Sequence, residues 1–226
     1  FHSFTDFSLA AGDTAVWTFT FGDPNSITNV INRVTGGDPS QIDGTIDSTA
    51  LPNAAFFFIN PSGVIFGENA QVNVPGAAHF STGSHVNFAN GARFSAIAPD
   101  GSTFTMAAPA SFGFLGNEAA LAVLGGAGSA PLAFAGSLSL SASDVGIFDR
   151  EVFATGFAVT ATGTTAFDVP VVGALFDADA SDGVIDLADS RLETYDGGTI
   201  ALAAGRIAMS ASNLRSDARS NDTTSS

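Results

Sequence analysis

The densest group of chemically capable side chains is acidic: Asp177, Asp179, Ser181, Asp182, Asp186 and Asp189, in DADASDGVIDLAD. Hard oxygen ligands at alternate positions suit calcium. The register is wrong for an EF-hand loop, because Gly183 falls one place late and Ala188 stands where a bidentate Glu belongs. The run therefore reads as a solvated acidic corner and not as a metal site. His79 and His85 lie six apart in AHFSTGSHV, with His2 distant. That spacing shares one face of a continuous strand, but Thr82-Gly83-Ser84 interrupts it. Two His without a third ligand make a poor zinc site. Zero Cys excludes disulfides, a Cys nucleophile and thiolate metal sites. There is no GxSxG elbow for a serine hydrolase. A polysaccharide-cleaving cleft needs paired carboxylates; Asp144, Asp149 and Glu151 are candidates, but their spacing fixes no mutual distance. A basic residue working with calcium is disfavoured, since the chain has no Lys and only scattered Arg. The expectation is no enzyme, no cofactor and no metal.

Any such residues would have to be held by strands and corners. The organising stretch runs from Ala54 to Val74: two short apolar runs, Ala55 to Ile59 and Val64 to Phe66, joined by Asn60-Pro61-Ser62-Gly63. Those four residues read as a type I β-turn. Asn at the first position bonds the turn backbone, Pro fixes φ at the second and Gly closes the fourth. Pro61 also pushes Asn60 toward extended geometry. Phe56, Phe57 and Phe58 leave both faces of one strand apolar, so something must cover the outer face as well as the core. Phe66, Phe80, Phe88 and Phe94 recur with the strands, which favours core stacking over a glycan platform.

Earlier, Ala15, Trp17, Phe19 and Phe21 alternate with Val16, Thr18 and Thr20, which predicts a strand. Ile27 to Val34 is expected as strand on its β-branched content, despite apolar residues at helical spacing. Gly36-Gly37-Asp38-Pro39 predicts a turn and Gly44-Thr45-Ile46 the start of another strand. From Ala70 to about Ser212, apolar segments of about five residues alternate with Gly, Asn, Asp or Pro corners. Gly136–Leu140 recurs loosely at Gly156–Thr160, 20 positions on, and Gly183–Leu187 at Gly205–Met209, 22 positions on, with Gly198–Leu202 between them. A repeat near 20 residues of three short strands is one coil of a parallel β-helix. Pro99 to Gly128 fits this pattern worst and is expected to form a hairpin outside the helix, over the Phe-rich strands. The polar residues 216–226 resemble a frayed end.

The chain has 226 residues, net charge −15 and seven basic residues, all Arg. That charge argues against nucleic acid or an anionic membrane as partner. No apolar run approaches the length of a membrane span. Phe1 is not a start Met and no signal peptide is visible, so a processed or trimmed fragment is expected.

FINPSGVIFGENAQVNVPGAAHFST resembles the signature of the two-partner-secretion domain, the N-terminal domain of filamentous-haemagglutinin-like exoproteins. The usual form has a second Asn where this chain has Ser62. FHSFTDFSL at the start, INRVTGGDPSQIDGTI at 31–46 and PASFGFLG at 109–116 match as well, and GGTIALAAGRIAMSAS at 197–212 more loosely. The resemblance implies a right-handed parallel β-helix with an N-terminal cap and β-hairpins outside the helix. It is read as one domain over 1–226, with a cap at 1–50, coils at 51–215 and the polar end at 216–226. It implies export through the periplasm of a Gram-negative bacterium to the cell surface or beyond, and Asn60, Pro61, Ser62 and Gly63 as a secretion motif. The implied partner is an outer-membrane β-barrel transporter with periplasmic POTRA domains, acting on a monomer whose folding nucleates β-helix growth at the cell surface. The rest of an adhesin-like exoprotein would engage a host or cell-surface glycan or protein. Two other classes stay open: a carbohydrate-active β-helix enzyme, and a surface adhesion module with no role in export.

Overall fold

The computed structural model describes residues 1–171, 181–195 and 197–216. Asp177 and Asp179 of the acidic run, and 217–226 of the polar end, lie outside the described residues. The chain is a parallel β-helix. Its strands are short because each side of a coil is short, and Gly, Asn or Ser at the corners lets the backbone turn.

Among the described residues, a cap made of β1 (His2–Phe4) and β2 (Thr14–Val16) precedes six coils. The first is β3 (Asn29–Val34), β4 (Ser40–Ile42) and β5 (Thr45–Asp47); the second is β6 (Ala55–Ile59), β7 (Val64–Phe66) and β8 (Gln71–Asn73). The third is β9 (Ala78–Ser81), β13 (Leu121–Leu124) and β14 (Leu132–Ala133); the fourth is β15 (Leu138–Ala142), β16 (Val145–Phe148) and β17 (Glu151–Ala154). The fifth is β18 (Phe157–Ala161), β20 (Val184–Ala188) and β21 (Arg191–Thr194); the sixth is β22 (Ile200–Ala203), β23 (Arg206–Ser210) and β24 (Asn213–Ser216). First strands stack, with β1, into a 7-stranded sheet and second strands into a 6-stranded one. Third strands form two sheets, β2-β5-β8 and β14-β17-β21-β24. Every pairing within the coils is parallel.

Inward side chains stack in columns. One runs Val30, Phe56, Ala78, Leu138, Phe157, Ile200, so bulky rings alternate with smaller groups at close spacing. The N-terminal end is closed by Trp17, whose ring meets Phe56 edge-on at 4.9 Å and whose Nε1–H donates to buried Asn32 at 2.9 Å. Asn32 in turn donates to the Phe57 carbonyl. The predicted strand over Ala15 to Phe21 is thus cut short. Only Thr14–Val16 pairs, because Trp17 turns inward as a plug while Phe21 is 85% exposed. Ile27 to Val34 is strand from Asn29 onward, after a 3-10 turn at Pro24–Ser26.

The expected outer cover exists, built from more of the chain than Pro99 to Gly128. Strands β10 (His85–Phe88), β11 (Arg93–Ser95), β12 (Pro109–Gly113) and β19 (Asp168–Pro170) form an antiparallel sheet outside the helix. Leu121–Leu124, inside the stretch assigned to the hairpin, is a coil strand. Phe56 and Phe58 point into the helix core, while Phe57 and Ile59 join Val86, Phe88, Phe94 and Phe112 in a second core under this sheet. The Phe residues thus stack in cores, but in two of them.

Candidate functional site

Asn60 lies at the corner where β6 hands over to β7. Its side chain is fully buried. Nδ2–H donates to the Asp38 carbonyl at 3.0 Å and to Ser40 Oγ at 2.9 Å, both in the coil before. Oδ1 accepts from the Ser62 amide at 3.0 Å, the bond expected of Asn opening a turn. The Gly63 amide closes the turn onto the Asn60 carbonyl at 3.0 Å. Gly63 has φ +122°, outside the range side chains accept, although a Cβ there would meet nothing nearer than 3.4 Å. Glycine is needed here for its torsion, not for space.

The corner is a rung in a stack. Below it, the Ser40 amide donates to the Gly63 carbonyl; above it, the Ala119 amide donates to the Pro61 carbonyl and the Asn60 amide to the Ser81 carbonyl. Three successive coils are therefore tied through four residues. Pro61 and Ser62 are half-buried, and Asn60 and Gly63 are buried.

Sequence reasoning missed the staple above this rung. Glu118 is buried, and its Oε1 accepts from Ser84 Oγ and the Leu115 amide, its Oε2 from the Gly116 and Asn117 amides. Ser84 is where the chain leaves β9 for the outer sheet, and Leu115 to Asn117 is where it returns. One carboxylate thus joins exit and entry. A lone Glu in an apolar stretch gives no sign of this. Arg33 does a related job: buried, it lies 4.2 Å from the centre of the Phe94 ring and donates to Ser3 Oγ and the Ser95 carbonyl, tying β1, β3 and the outer sheet.

The other candidates are scattered. His79 is on β9 and His85 on β10, in different sheets. His79 stacks on Phe57 at 4.4 Å, and burial lowers its pKa to about 4. The His85 ring lies against Gly113, where a Cβ would sit 1.9 Å from Nε2. Burial, then nearby Arg93, lowers its pKa. Asp144 and Asp149 flank opposite ends of β16, about 16 Å apart at strand rise, too far for a carboxylate pair. Glu151 faces Arg191 at 3.5 Å instead. Asp182 caps Thr164, accepting from its amide and hydroxyl. Among the described residues, no three His, Asp or Glu side chains gather where they could hold a metal ion.

What the arrangement offers is a hydrogen-bonded corner, not an acid, base or nucleophile. The full chain, residues 1–226, matches the TPS secretion domain family. The chain belongs to that family. TPS secretion domains serve the two-partner secretion of large exoproteins from Gram-negative bacteria, as non-catalytic export modules, so the protein is a secreted or surface one and an outer-membrane transporter is its partner. A comparison with curated proteins finds no match.

Proposed function

We propose that this domain is recognised by a cognate outer-membrane β-barrel transporter through periplasmic POTRA domains, and that it nucleates β-helix folding at the cell surface as a monomer. The family match over the whole chain carries this reading. Each coil offers the next a parallel template, and acidic surface charge limits edge-to-edge association. Attachment of the exoprotein to a host glycan or protein belongs to the rest of the molecule.

The Asn60–Gly63 corner serves export from inside, as a folding element. Its Asn is fully buried, so no polar group of that side chain faces a partner. Export of Asn60→Ala, in cells carrying the transporter, is expected to fall with the folded fraction and to recover at lower growth temperature. Ser62→Ala, which keeps the Asn60 bonds, is expected to be exported normally. An Asn60→Ala domain that folds with wild-type stability but is not exported would make the corner a surface that the transporter reads. Normal export of an Asn60→Ala, Gly63→Ala double variant would remove it from the export machinery.

A further inference from the structure

One dipeptide carries chemistry that neither the corners nor the cores use. The chain's one Asn followed by Gly is Asn90. An Asn carboxamide can be attacked by the backbone nitrogen of the next residue. A side chain on that residue crowds the ring that forms, and Gly has none. Asn60, by contrast, precedes Pro61, which has no N–H to give up.

Asn90 is exposed, in the turn that joins β10 to β11. Folding engages every group the attack needs. The Gly91 amide donates to the Phe88 carbonyl at 2.9 Å, and the Phe88 amide donates to the Ala92 carbonyl at 2.9 Å. Asn90 Nδ2–H donates to Thr105 Oγ1 at 2.9 Å, and Oδ1 accepts from the Ala92 amide at 3.1 Å. Thr105 Oγ1 is itself held, since it also accepts from the Ala107 amide at 3.1 Å. The nucleophile's proton and both ends of the carboxamide are therefore occupied. Phe88 and Phe94, on either side of the turn, are anchored in the second core.

We propose that Asn90 is a self-modification site of the unfolded chain, silenced when the β10–β11 turn folds. In the open chain the Gly91 nitrogen bonds to Asn90 Cγ and the Cγ–Nδ2 bond breaks. Nδ2 leaves as ammonia with the proton that Gly91 gives up. Water then opens the cyclic imide, its hydroxyl going to a ring carbonyl carbon and its proton to the Gly91 nitrogen. Aspartate or iso-aspartate is left at position 90, and nothing is oxidised or reduced. Iso-aspartate runs the main chain through the former side chain with an extra carbon, which the Gly91-to-Phe88 bond does not fit. Either product lacks the donor to Thr105. Chains that linger unfolded thus acquire a turn that closes the outer sheet less well. This inference is independent of the export reading.

Peptide mass spectrometry of the purified domain, kept in mildly alkaline buffer with and without guanidinium chloride, tests it. The denatured chain is expected to convert at Asn90, and the folded domain at least about tenfold more slowly, because the reaction must wait for local opening. Thr105→Val removes the acceptor of Nδ2 at a half-buried position. It is expected to raise the folded rate several-fold in a domain whose melting curve shows it folded, with the denatured rate unchanged. Wild-type chains aged in denaturant and refolded are expected to melt below fresh ones, and Asn90→Gln, whose longer side chain closes the ring slowly, should be spared. No conversion at Asn90 in denaturant overturns the proposal, as do equal rates in folded and denatured chains or a folded rate unmoved by Thr105→Val. Aged wild type that melts as fresh chains do, or ageing that lowers Asn90→Gln equally, overturns it as well.

Discussion

Two corners carry the chain off the 7-stranded sheet, each held by a side-chain oxygen that accepts from a backbone amide, in opposite surroundings. At the end of β6, the carboxamide of Asn60 caps its own turn and reaches back to the previous coil from a fully buried position. Beyond the end of β18, the carboxylate of Asp182 caps Thr164 through the amide at 2.6 Å and the hydroxyl at 2.7 Å, and this side chain is exposed. Counting hydrogen bonds would rank the two corners close together. Burial separates them, because water replaces a lost partner at Thr164 and cannot do so around Asn60. A helix built of stacked corners therefore depends unequally on them.

The largest expected effect follows from that difference. Asn60→Ala leaves the Asp38 carbonyl, Ser40 Oγ and the Ser62 amide without their partner. Together these losses come to roughly 3–5 kcal/mol, a fall in Tm of about 10 °C for a chain this long. Thermal melting checks it. A fall of only a degree or two would mean that the buried corner tolerates the loss as an exposed one does, and the contrast would fail.

His79 sharpens the same point with a buried polar group whose Nδ1 has no hydrogen-bond partner. Its folded pKa is about 4, against an ordinary 6.5, because burial disfavours the charged form. The unfolded chain takes up the proton first as the medium is acidified. The neutral ring's contribution is complete above pH 6.5, is lost as pH falls from 6.5 to about 4, and stays lost below. Those 2.5 units correspond to about 3 kcal/mol. Denaturant unfolding of wild type and His79→Leu at pH 7 and pH 4 should show the gap between them shifting by about that amount in favour of the variant. An unchanged gap would remove His79 as a source of acid sensitivity.

How much of this was legible in the sequence depends on what each signal encodes. Gly, Asn and Pro announced the corners, since their torsional preferences are local. The Asn60 turn could be read directly, whereas the positive φ of Gly63 came from the structure. Three consecutive Phe announced two apolar faces and so an outer layer. The source of that layer was hidden, because β10, β11, β12 and β19 come from three distant segments that pair antiparallel. Register was half legible. Aligning Gly136 with Gly156 gives an offset of 20, but Leu138 stacks on Phe157, an offset of 19. A slip of one residue turns every side chain to the opposite face, and the inward Leu138, Leu140 and Ala142 fix it where the glycine does not. At the later coils Val184 pairs with Arg206, and the offset of 22 holds. Gly198–Leu202, which looked like an intermediate repeat, belongs to the 7-stranded sheet as β22. The tie from Glu118 to Ser84 and those from Asn32 to Trp17 and the Phe57 carbonyl stayed invisible because the partners lie far along the chain.

The smallest expected effect is at Asp182. Its pKa is lowered, first by the Thr164 hydroxyl and then by the Thr164 amide, both of which favour the charged form. A carboxylate held below its ordinary range of 3.8 supports the fold above that pH. It loses that support only as pH falls through the lower folded value. At neutral pH the bonds are intact, but both donors lie where water can take over. Asp182→Ala is therefore expected to lower Tm by at most about 2 °C at pH 7. At acid pH, once the medium falls through that lowered folded value, the two proteins should converge, because protonation removes from wild type what the substitution removes from the variant. Melting curves at both pH values decide it. A fall at pH 7 as large as that of Asn60→Ala would show that the Thr164 corner is set by its bonds and not by its burial, and the distinction between the corners would not survive.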